Sequence, residues 1–175
     1  MDRQELFRYL KKYAFISKNL LGIGTIREIL AFDKKFKNRK NCFVIINTNE
    51  YQYGKNIIGH WLLLGKFNNR LIFFDSLGKQ PSTYSSILNK FINNLSIFVD
   101  KSLFYNPYHI QGNTSCTCSL YCTFFVYYLS LGFGFDKILN HFKKHNSNLN
   151  DRLIIKWFRK KFGNISNPKY KFCIF

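Results

Sequence analysis

The sequence predicts an α+β fold in which a central mixed or antiparallel sheet packs against a buried helix that starts at Cys118, with further helices around it. Residues 42–47 are rich in β-branched and aromatic side chains, as is typical of a buried strand. Residues 59–75 contain two apolar runs separated by Asn68 and Asn69, which predicts a hairpin. The segment from Cys118 to Leu131 is apolar on nearly every side, so a helix there would be enclosed by other elements.

Capping and periodicity predict the elements before the hairpin. Asp2 and Glu5 have the spacing of a capping box, and apolar side chains recur after them at helical intervals, which predicts a helix over residues 3–13. Residues 25–32 are too short a segment to assign. The basic run at residues 34–40 is expected to be a solvated loop.

Further helices are predicted after the hairpin. Ser82 is expected to cap a helix that ends near Leu95, and short strands are expected at residues 97–99 and 103–105. A helix is also expected over residues 136–145. Asn148 is expected to cap a last helix over residues 151–162 that has one apolar face and one basic face.

The start of the central helix places a thiol in its first turn. A backbone N–H there can be accepted by Asn113, Thr114 or Ser115. At the other end, Gly132 is the expected residue just past the last turn. The exposed N–H groups and the positive end of the helix dipole favour a thiolate at Cys118. The alternative is that Cys116, Cys118 and Cys122 are small apolar core residues.

The hairpin predicts a contact between a histidine and an acid. With a two-asparagine turn, Phe67 pairs with Arg70, and His60 then lies diagonal to Asp75 on the same face of the sheet. A shift of one residue in the pairing would move them to opposite faces. The register therefore predicts a hydrogen bond between His60 and Asp75.

A histidine at a strand start, an acid on the next strand and a cysteine at a helix start are the parts of a catalytic triad. In the order His60, Asp75, Cys118, they resemble the adenovirus-type cysteine endopeptidases, the adenain family, and their relatives that process ubiquitin-like proteins. The sequences Gly59-His60-Trp61, Phe74-Asp75 and Gln111 to Cys122 carry this resemblance. It extends from about residue 22 to at least residue 131.

The resemblance implies a role for each matching residue. Cys118 would be the nucleophile, His60 the base, Asp75 the residue that orients the base, and Gln111 a donor to the oxyanion. Trp61 would form a wall of the substrate cleft. The family usually has glycine after the nucleophile, and here Ser119 would add a side chain where the substrate backbone passes.

The activity implied is that of a cysteine endopeptidase from a virus or virus-like element. It would form one domain over residues 1–175, act as a monomer, and cleave precursor capsid and core proteins after small residues such as glycine. The chemistry would require no cofactor, although DNA could act as an activator. The locations that the resemblance implies are the host cell nucleus and the virion. Neither a signal peptide nor a transmembrane segment is expected from the sequence.

The charge also favours DNA as a partner. The chain has 27 Lys and Arg against 9 Asp and Glu, a net charge of +18, which attracts polyanions without sequence preference. The expected DNA contacts are Lys34, Lys35, Lys37, Arg39, Lys40, Lys156, Arg159, Lys160 and Lys161. The alternative is a solvated basic face with no target.

Three other functions compete with the viral endopeptidase. A protease that processes ubiquitin-like modifiers would use the same residues. A DNA-binding virion protein that has lost catalysis could keep the fold, although it would have no physical reason to keep all four catalytic groups. A zinc site at Cys116, Cys118, His141 and His145 is disfavoured because its spacing fits no zinc-finger pattern, so no metal is expected.

Overall fold

A computed structural model describes residues 1–48, 59–99 and 103–163. Seven α-helices and five strands lie within these ranges. In chain order they are α1 (Arg3–Lys11), α2 (Ala14–Asn19), β1 (Leu20–Thr25), α3 (Asp33–Asn38), β2 (Cys42–Asn47), β3 (Trp61–Phe67), β4 (Arg70–Phe74), α4 (Ser86–Ser96), β5 (Phe104–Tyr105), α5 (Cys118–Ser130), α6 (Phe135–Leu139) and α7 (Ser147–Phe162). Short 3₁₀ helices lie at Glu28–Phe32 and Pro81–Thr83.

The five strands form one mixed sheet in the order β1-β2-β3-β4-β5. The outer pairs, β1 with β2 and β4 with β5, are parallel, whereas β3 is antiparallel to both of its neighbours. The fold class predicted from the sequence is therefore confirmed.

Strands β3 and β4 form the predicted hairpin. Phe67 pairs with Arg70 across a two-residue turn, as expected from the sequence. Asn68 and Asn69 have φ angles of 49° and 59°. This left-handed conformation matches the twist of the flanking strands, and asparagine adopts it more readily than most residues.

Apolar side chains cover both faces of the sheet. Phe43 and Ile45 of β2 pack in the cluster that contains α5, whereas Val44 and Ile46 pack in the cluster that contains α4. This alternation follows from the two-residue period of a strand. Helix α5 lies in the first cluster with side chains of α1, α6 and α7, and 11 of its 13 residues are buried.

A glycine ends α5 at the predicted place. Gly132 has a φ angle of 90°, which residues with a Cβ rarely adopt. The N–H of Gly132 donates to the carbonyl of Leu129, and the N–H of Phe133 donates to the carbonyl of Tyr128, each at 3.0 Å. These two bonds form a Schellman motif and satisfy carbonyls at the helix end.

Two helix starts differ from the prediction. Ser85 rather than Ser82 caps α4, and Asn146 rather than Asn148 caps α7. In both cases a second good capping residue lies within three positions of the predicted one. Capping preference alone cannot choose between such neighbours, because the choice depends on where the helix packs.

Other differences occur where the segments are short. The first helix has the predicted Asp2 cap but ends at Lys11, after which α2 and β1 follow without a clear signal in the sequence. Helix α3 occupies most of the basic run expected to be a loop. Residues 97–99 form no strand, and α6 covers only the first part of the expected helix over residues 136–145. Helices this short are marginal alone and depend on tertiary packing.

Candidate active site

His60 and Asp75 lie at the open end of the β3–β4 hairpin. His60 directly precedes β3, and Asp75 directly follows β4. The imidazole Nε2 and the carboxylate Oδ1 are 2.5 Å apart. The predicted hydrogen bond between them is therefore present. Because Nε2 is engaged, Nδ1 is the nitrogen left for chemistry.

Asp75 is fully buried, and its carboxylate is fixed on both oxygens. Besides bonding His60, Oδ1 accepts the backbone N–H of Leu77 at 2.9 Å. Oδ2 accepts the backbone N–H of Lys79 at 2.9 Å and the hydroxyl of Tyr84 at 2.5 Å. A buried carboxylate needs such donors to stay ionised, and together they fix its orientation toward His60.

The backbone of Asp75 is also anchored by a side chain from across the sheet. Asn106, one residue after β5, accepts the N–H of Asp75 at 2.9 Å and donates to its carbonyl at 2.5 Å. The Asn106 amide thus replaces the strand partner that Asp75 would have if β5 were longer. This anchor holds the acid in place beyond the end of its strand.

The charges of the two residues stabilise each other. Burial disfavours the charged imidazole, but the interactions with the Asp75 carboxylate and with Cys118 outweigh it and raise the pKa of His60 to about 9. Burial also acts against the carboxylate, but the hydrogen bond to His60, its charge and the Tyr84 hydroxyl hold the pKa of Asp75 below its ordinary value. His60 therefore carries a proton at neutral pH.

Cys118 is the first residue of α5, and it lies near enough to His60 to help raise the pKa of the imidazole. Cys118 is 7% exposed, so its side chain is largely enclosed by the protein. The backbone N–H at this position has no partner within the helix, since it belongs to the first turn. The thiol therefore lies beside a cationic imidazole and at the positive end of a helix.

None of the three residues predicted to cap α5 does so. Thr117 is the N-cap residue, and its side chain makes no capping hydrogen bond. Its hydroxyl instead donates to Asp151 at 2.8 Å and lies 2.6 Å from the hydroxyl of Ser115. The polar side chains before the helix therefore fix the shape of the loop instead of capping the helix.

Gln111 is buried in this loop, and both ends of its amide are bonded. Its Oε1 accepts the hydroxyl of Ser76 at 2.5 Å, and its Nε2 donates to the carbonyl of Ser115 at 2.6 Å. Nε2 carries two hydrogens, so one N–H remains for a further acceptor. The amide thus joins the loop before Cys118 to the residue that follows Asp75.

Helix α7 supports the same loop through a buried acid. Asp151 accepts the backbone N–H of Gly112 at 2.9 Å, the hydroxyl of Thr117 at 2.8 Å and the hydroxyl of Tyr121 at 3.0 Å. A Cβ at Gly112 would lie 2.7 Å from the Asp151 carboxylate, so glycine is needed there. The adjacent Asn150 donates to the carbonyl of Ile110 at 3.0 Å.

Sequence reasoning missed four of these supporting residues, namely Ser76, Tyr84, Asn106 and Asp151. For Asp151 a signal was present, because it lies on the same helical stripe as the buried Ile154, Ile155 and Phe158. A carboxylate on an apolar stripe must find polar partners inside the protein. The other three lie in short segments where no periodic pattern identifies the buried residues.

The two residues proposed for the substrate cleft are both buried. Trp61 is 4% exposed and packs in the core cluster that also contains Cys118, and its carbonyl accepts the thiol of Cys122 at 3.4 Å. Ser119 is 0% exposed. Neither side chain faces open solvent, and the roles of Trp61 as a wall of the cleft and of Ser119 in the path of the substrate stay predictions.

The residues predicted to contact DNA lie mainly on the surface of two helices. Lys34, Lys35, Arg39 and Lys40 are exposed on or just after α3, and Lys156, Arg159, Lys160 and Lys161 are exposed on α7. Lys37 is the exception, because it is half-buried and its Nζ lies 2.6 Å from the Asp33 carboxylate. A surface cavity of about 640 Å³ between α2 and the start of β2 is lined by Arg39, Lys40 and a further cation, Lys18.

No metal site is found in the described ranges, where no three His, Cys, Asp or Glu side chains are grouped to hold an ion. Cys116 and Cys118 lie at the start of α5. His141 packs instead against Phe124 and Tyr128 further along that helix. The four described cysteines form no disulfides. No helix of the described ranges is long and apolar enough to span a membrane.

No protein-family model matches this chain, and no curated protein sequence matches it. Several solved structures have a similar fold, and two of them are ChlaDub1 and the ASFV pS273R protease. ChlaDub1 from Chlamydia trachomatis matches with a TM-score of 0.60 and 16% identity, covering 91% of this chain and 89% of its own. The ASFV pS273R protease matches with a TM-score of 0.60 and 9% identity, covering 94% of this chain and 67% of its own.

The chain therefore shares its fold with these two proteins. This likeness does not single out the adenovirus-type enzymes to which the sequence motifs pointed.

Proposed function

We propose that this chain is a cysteine endopeptidase. The observation that carries the proposal is the hydrogen bond between His60 and the buried Asp75, with Cys118 beside His60 at the start of α5. A thiol at a helix start, a protonated imidazole beside it and a buried acid behind the imidazole are the groups that thiol-based acyl transfer requires. A protein that kept the fold but had lost catalysis would need none of them in this arrangement.

In the first step, the Cys118 thiolate attacks the carbonyl carbon of the scissile peptide bond. The carbonyl oxygen then becomes an oxyanion, which needs hydrogen-bond donors already in place. The backbone N–H of Cys118 and the second N–H of Gln111 are the donors proposed here. Each such donor is worth about 3 kcal/mol of transition-state stabilisation in other proteases.

In the second step, the tetrahedral intermediate collapses and the C–N bond breaks. The His60 imidazolium gives its proton to the departing amine, which leaves a thioester on Cys118 and a neutral imidazole. The neutral imidazole then takes a proton from water as that water attacks the thioester. Collapse of the second intermediate releases the acid product and restores the thiolate and the imidazolium.

The substrates proposed are viral precursor proteins cut after small residues such as glycine. The sequence motifs resemble those of the adenovirus-type enzymes, and the ASFV pS273R protease, whose fold is similar, supports a viral setting. Location in the host cell nucleus and in the virion remains a prediction from the same resemblance. Cleavage of ubiquitin-like modifiers is the second candidate, since the sequence motifs also resemble those of the relatives that process ubiquitin-like proteins.

We further propose that DNA binds this protein and stimulates cleavage. Eight of the nine predicted basic contacts are exposed, and Lys18 adds another cation beside Arg39 and Lys40. With a net charge of +18, the protein attracts phosphate backbones whatever their sequence.

The test is incubation of the wild type with a peptide library, with and without duplex DNA, followed by mass spectrometry. A fusion of a ubiquitin-like modifier to a carboxy-terminal tag is assayed in parallel. We expect cleavage after glycine by the wild type and none by Cys118→Ala. Cleavage of the fusion but of no library peptide would favour the second candidate. No cleavage of any substrate in either condition would contradict the endopeptidase proposal.

A further inference from the structure

We propose that Ser76 is a positioning residue that sets the orientation of the Gln111 amide and so prepares the oxyanion site. This inference rests on the proposed protease function and adds a residue to it. Ser76 is fully buried and lies directly after Asp75, outside the four groups that the sequence motifs identify.

The contact between the two side chains is direct. The Ser76 hydroxyl and the Gln111 Oε1 are 2.5 Å apart, although the residues are 35 positions apart in the chain. The carbonyl of Ser76 also accepts the backbone N–H of Ile110 at 2.9 Å and that of Gln111 at 3.1 Å. Both the side chain and the main chain of Ser76 therefore hold Gln111.

The chemistry of the two ends of the amide explains why this contact matters. A glutamine amide has a carbonyl oxygen that accepts and an NH₂ group that donates, and only the NH₂ group can stabilise an oxyanion. The Ser76 hydroxyl donates to Oε1, and the carbonyl of Ser115 accepts from Nε2. An amide turned by 180° would place Oε1 against the Ser115 carbonyl oxygen, which is repulsive.

Loss of the Ser76 hydroxyl would remove one of these two constraints. Gln111 is 3% exposed, so water cannot easily replace the lost donor at Oε1. The amide would then turn or shift to find another partner, and its free N–H would no longer point to one place. Because the oxyanion donors act only if they are already in position, this disorder reduces transition-state stabilisation without affecting the thiolate.

Ser76 also connects the two halves of the site. Asp75 orients His60, and the next residue orients Gln111. Asn106 anchors the main chain of Asp75 on the other side. Two adjacent residues after β4 thus contact the proton-transfer group and the oxyanion donor.

The experiment compares two reactions of Cys118 that differ in their need for an oxyanion site. A peptide aldehyde ending in glycinal forms a hemithioacetal whose oxygen resembles the tetrahedral intermediate. Iodoacetamide alkylates the thiolate and forms no oxyanion. For Ser76→Ala we expect aldehyde affinity to fall about 10- to 100-fold, part of the loss seen when an oxyanion donor is removed outright. The alkylation rate of Cys118 should stay within about twofold of the wild type.

A double-mutant cycle assigns the effect to Gln111. If Ser76 acts through the Gln111 amide, Ser76→Ala should weaken aldehyde binding little further in a Gln111→Ala background. If Ser76→Ala does not fold, Ser76→Thr is used instead. This variant keeps the hydroxyl and should retain most of the affinity for the aldehyde. Melting temperatures of all variants are compared with the wild type.

Three results would overturn the inference. One is unchanged aldehyde affinity in Ser76→Ala, and another is an equal loss of affinity and of alkylation rate, which would indicate general damage to the site. The third is full additivity of the Ser76 and Gln111 substitutions. If the wild type itself forms no adduct with any glycinal peptide, the protease proposal fails together with the inference, which distinguishes that outcome from the other three.

Discussion

His60 and Tyr84 lie face to face, with ring centroids 6.0 Å apart and ring planes inclined by 17°. The same tyrosine donates its hydroxyl to the Asp75 carboxylate at 2.5 Å. Burial, the hydrogen bond to Asp75 and the negative charges nearby raise the pKa of Tyr84, so it stays a neutral donor. One side chain therefore supports both the base and the acid that orients it.

Substitution of Tyr84 should separate these two contributions. Tyr84→Phe keeps the ring beside His60 and removes one donor to Asp75, and we expect kcat to fall roughly tenfold, since a hydrogen bond to a charged group is worth about 1.5 kcal/mol or more. Tyr84→Leu removes the ring as well and should lower kcat further. Tyr105→Phe, which removes the hydroxyl of an exposed tyrosine on β5, is the control. Equal kcat in the wild type and Tyr84→Leu would contradict the assignment.

Asp75→Asn should reduce turnover about a thousandfold or more, because the imidazole loses the acceptor that fixes its orientation and charge. Asp75→Asn should also lower the stability of the folded protein. An asparagine cannot accept on both sides, so at least one donor among Lys79, Tyr84 and His60 loses its partner. Activity is therefore measured well below the melting temperature of the variant. Asp136→Asn, at an exposed acid on α6, should keep wild-type turnover. Wild-type turnover in Asp75→Asn would rule out the orienting role.

Folding stability should depend on pH through the His60–Asp75 pair. The pKa of His60 is raised from 6.5 to about 9, so its contribution is complete below pH 6.5 and is lost as the pH rises through about 9. The pKa of Asp75 is lowered from 3.8, so its contribution is present above pH 3.8 and is lost on acidification below that value.

The wild type should thus exceed His60→Gln in melting temperature most clearly near pH 5–6. The difference should shrink by several degrees at pH 9.5. A difference that is constant or grows over this range would exclude the charged pair.

Iodoacetamide at neutral pH and low stoichiometry should label Cys118 before the other cysteines. Burial raises the pKa of Cys42 to about 11 and raises that of Cys122, so both thiols are protonated and slow to react. Cys173 lies outside the described residues. Cys116 is the exposed competitor, two residues before Cys118. Peptide mapping measures the order.

A matched variant makes this measurement specific. His60→Ala should slow alkylation of Cys118, because the cation beside the thiolate is lost, while leaving the rate at Cys116 unchanged. Labelling of Cys116, Cys42 or Cys173 first in the wild type would argue against Cys118 as the nucleophile.

DNA affinity should depend strongly on salt. Neutralising five phosphates gives a slope of log affinity against log salt of about −4.5 on duplex DNA. The triple charge reversal of Lys35, Lys40 and Lys160 to Glu should weaken binding and reduce DNA-stimulated cleavage. Lys37 is left out because it is paired with Asp33.

The control is a second triple variant with the same net charge as the first. Reversal of Lys90, Lys143 and Lys144, which are exposed on other parts of the surface, should weaken binding much less. Equal losses for the two triple variants would mean that only net charge matters, and a salt-independent affinity would remove the DNA proposal altogether.

The hairpin shows how much of the site follows from local sequence. Two apolar runs around Asn68 and Asn69 fix the turn, the turn fixes the register, and the register places His60 beside Asp75. Each step involves neighbours along the chain or directly across a hairpin, where the strand period of two leaves little choice. Cys118 was placed in the same way, because the change from polar residues to an apolar run marks the start of α5.

The sequence by itself therefore determined the fold class, the His60–Asp75 contact and the position of Cys118 at a helix start. Only the tertiary structure decided what holds these groups. Ser76 meets Gln111 across 35 positions, Asn106 meets Asp75 across 31, and Asp151 meets Gly112 across 39. The physical reason is that a buried polar side chain must find a partner, but which partner it finds depends on how distant elements dock, and no local pattern records that.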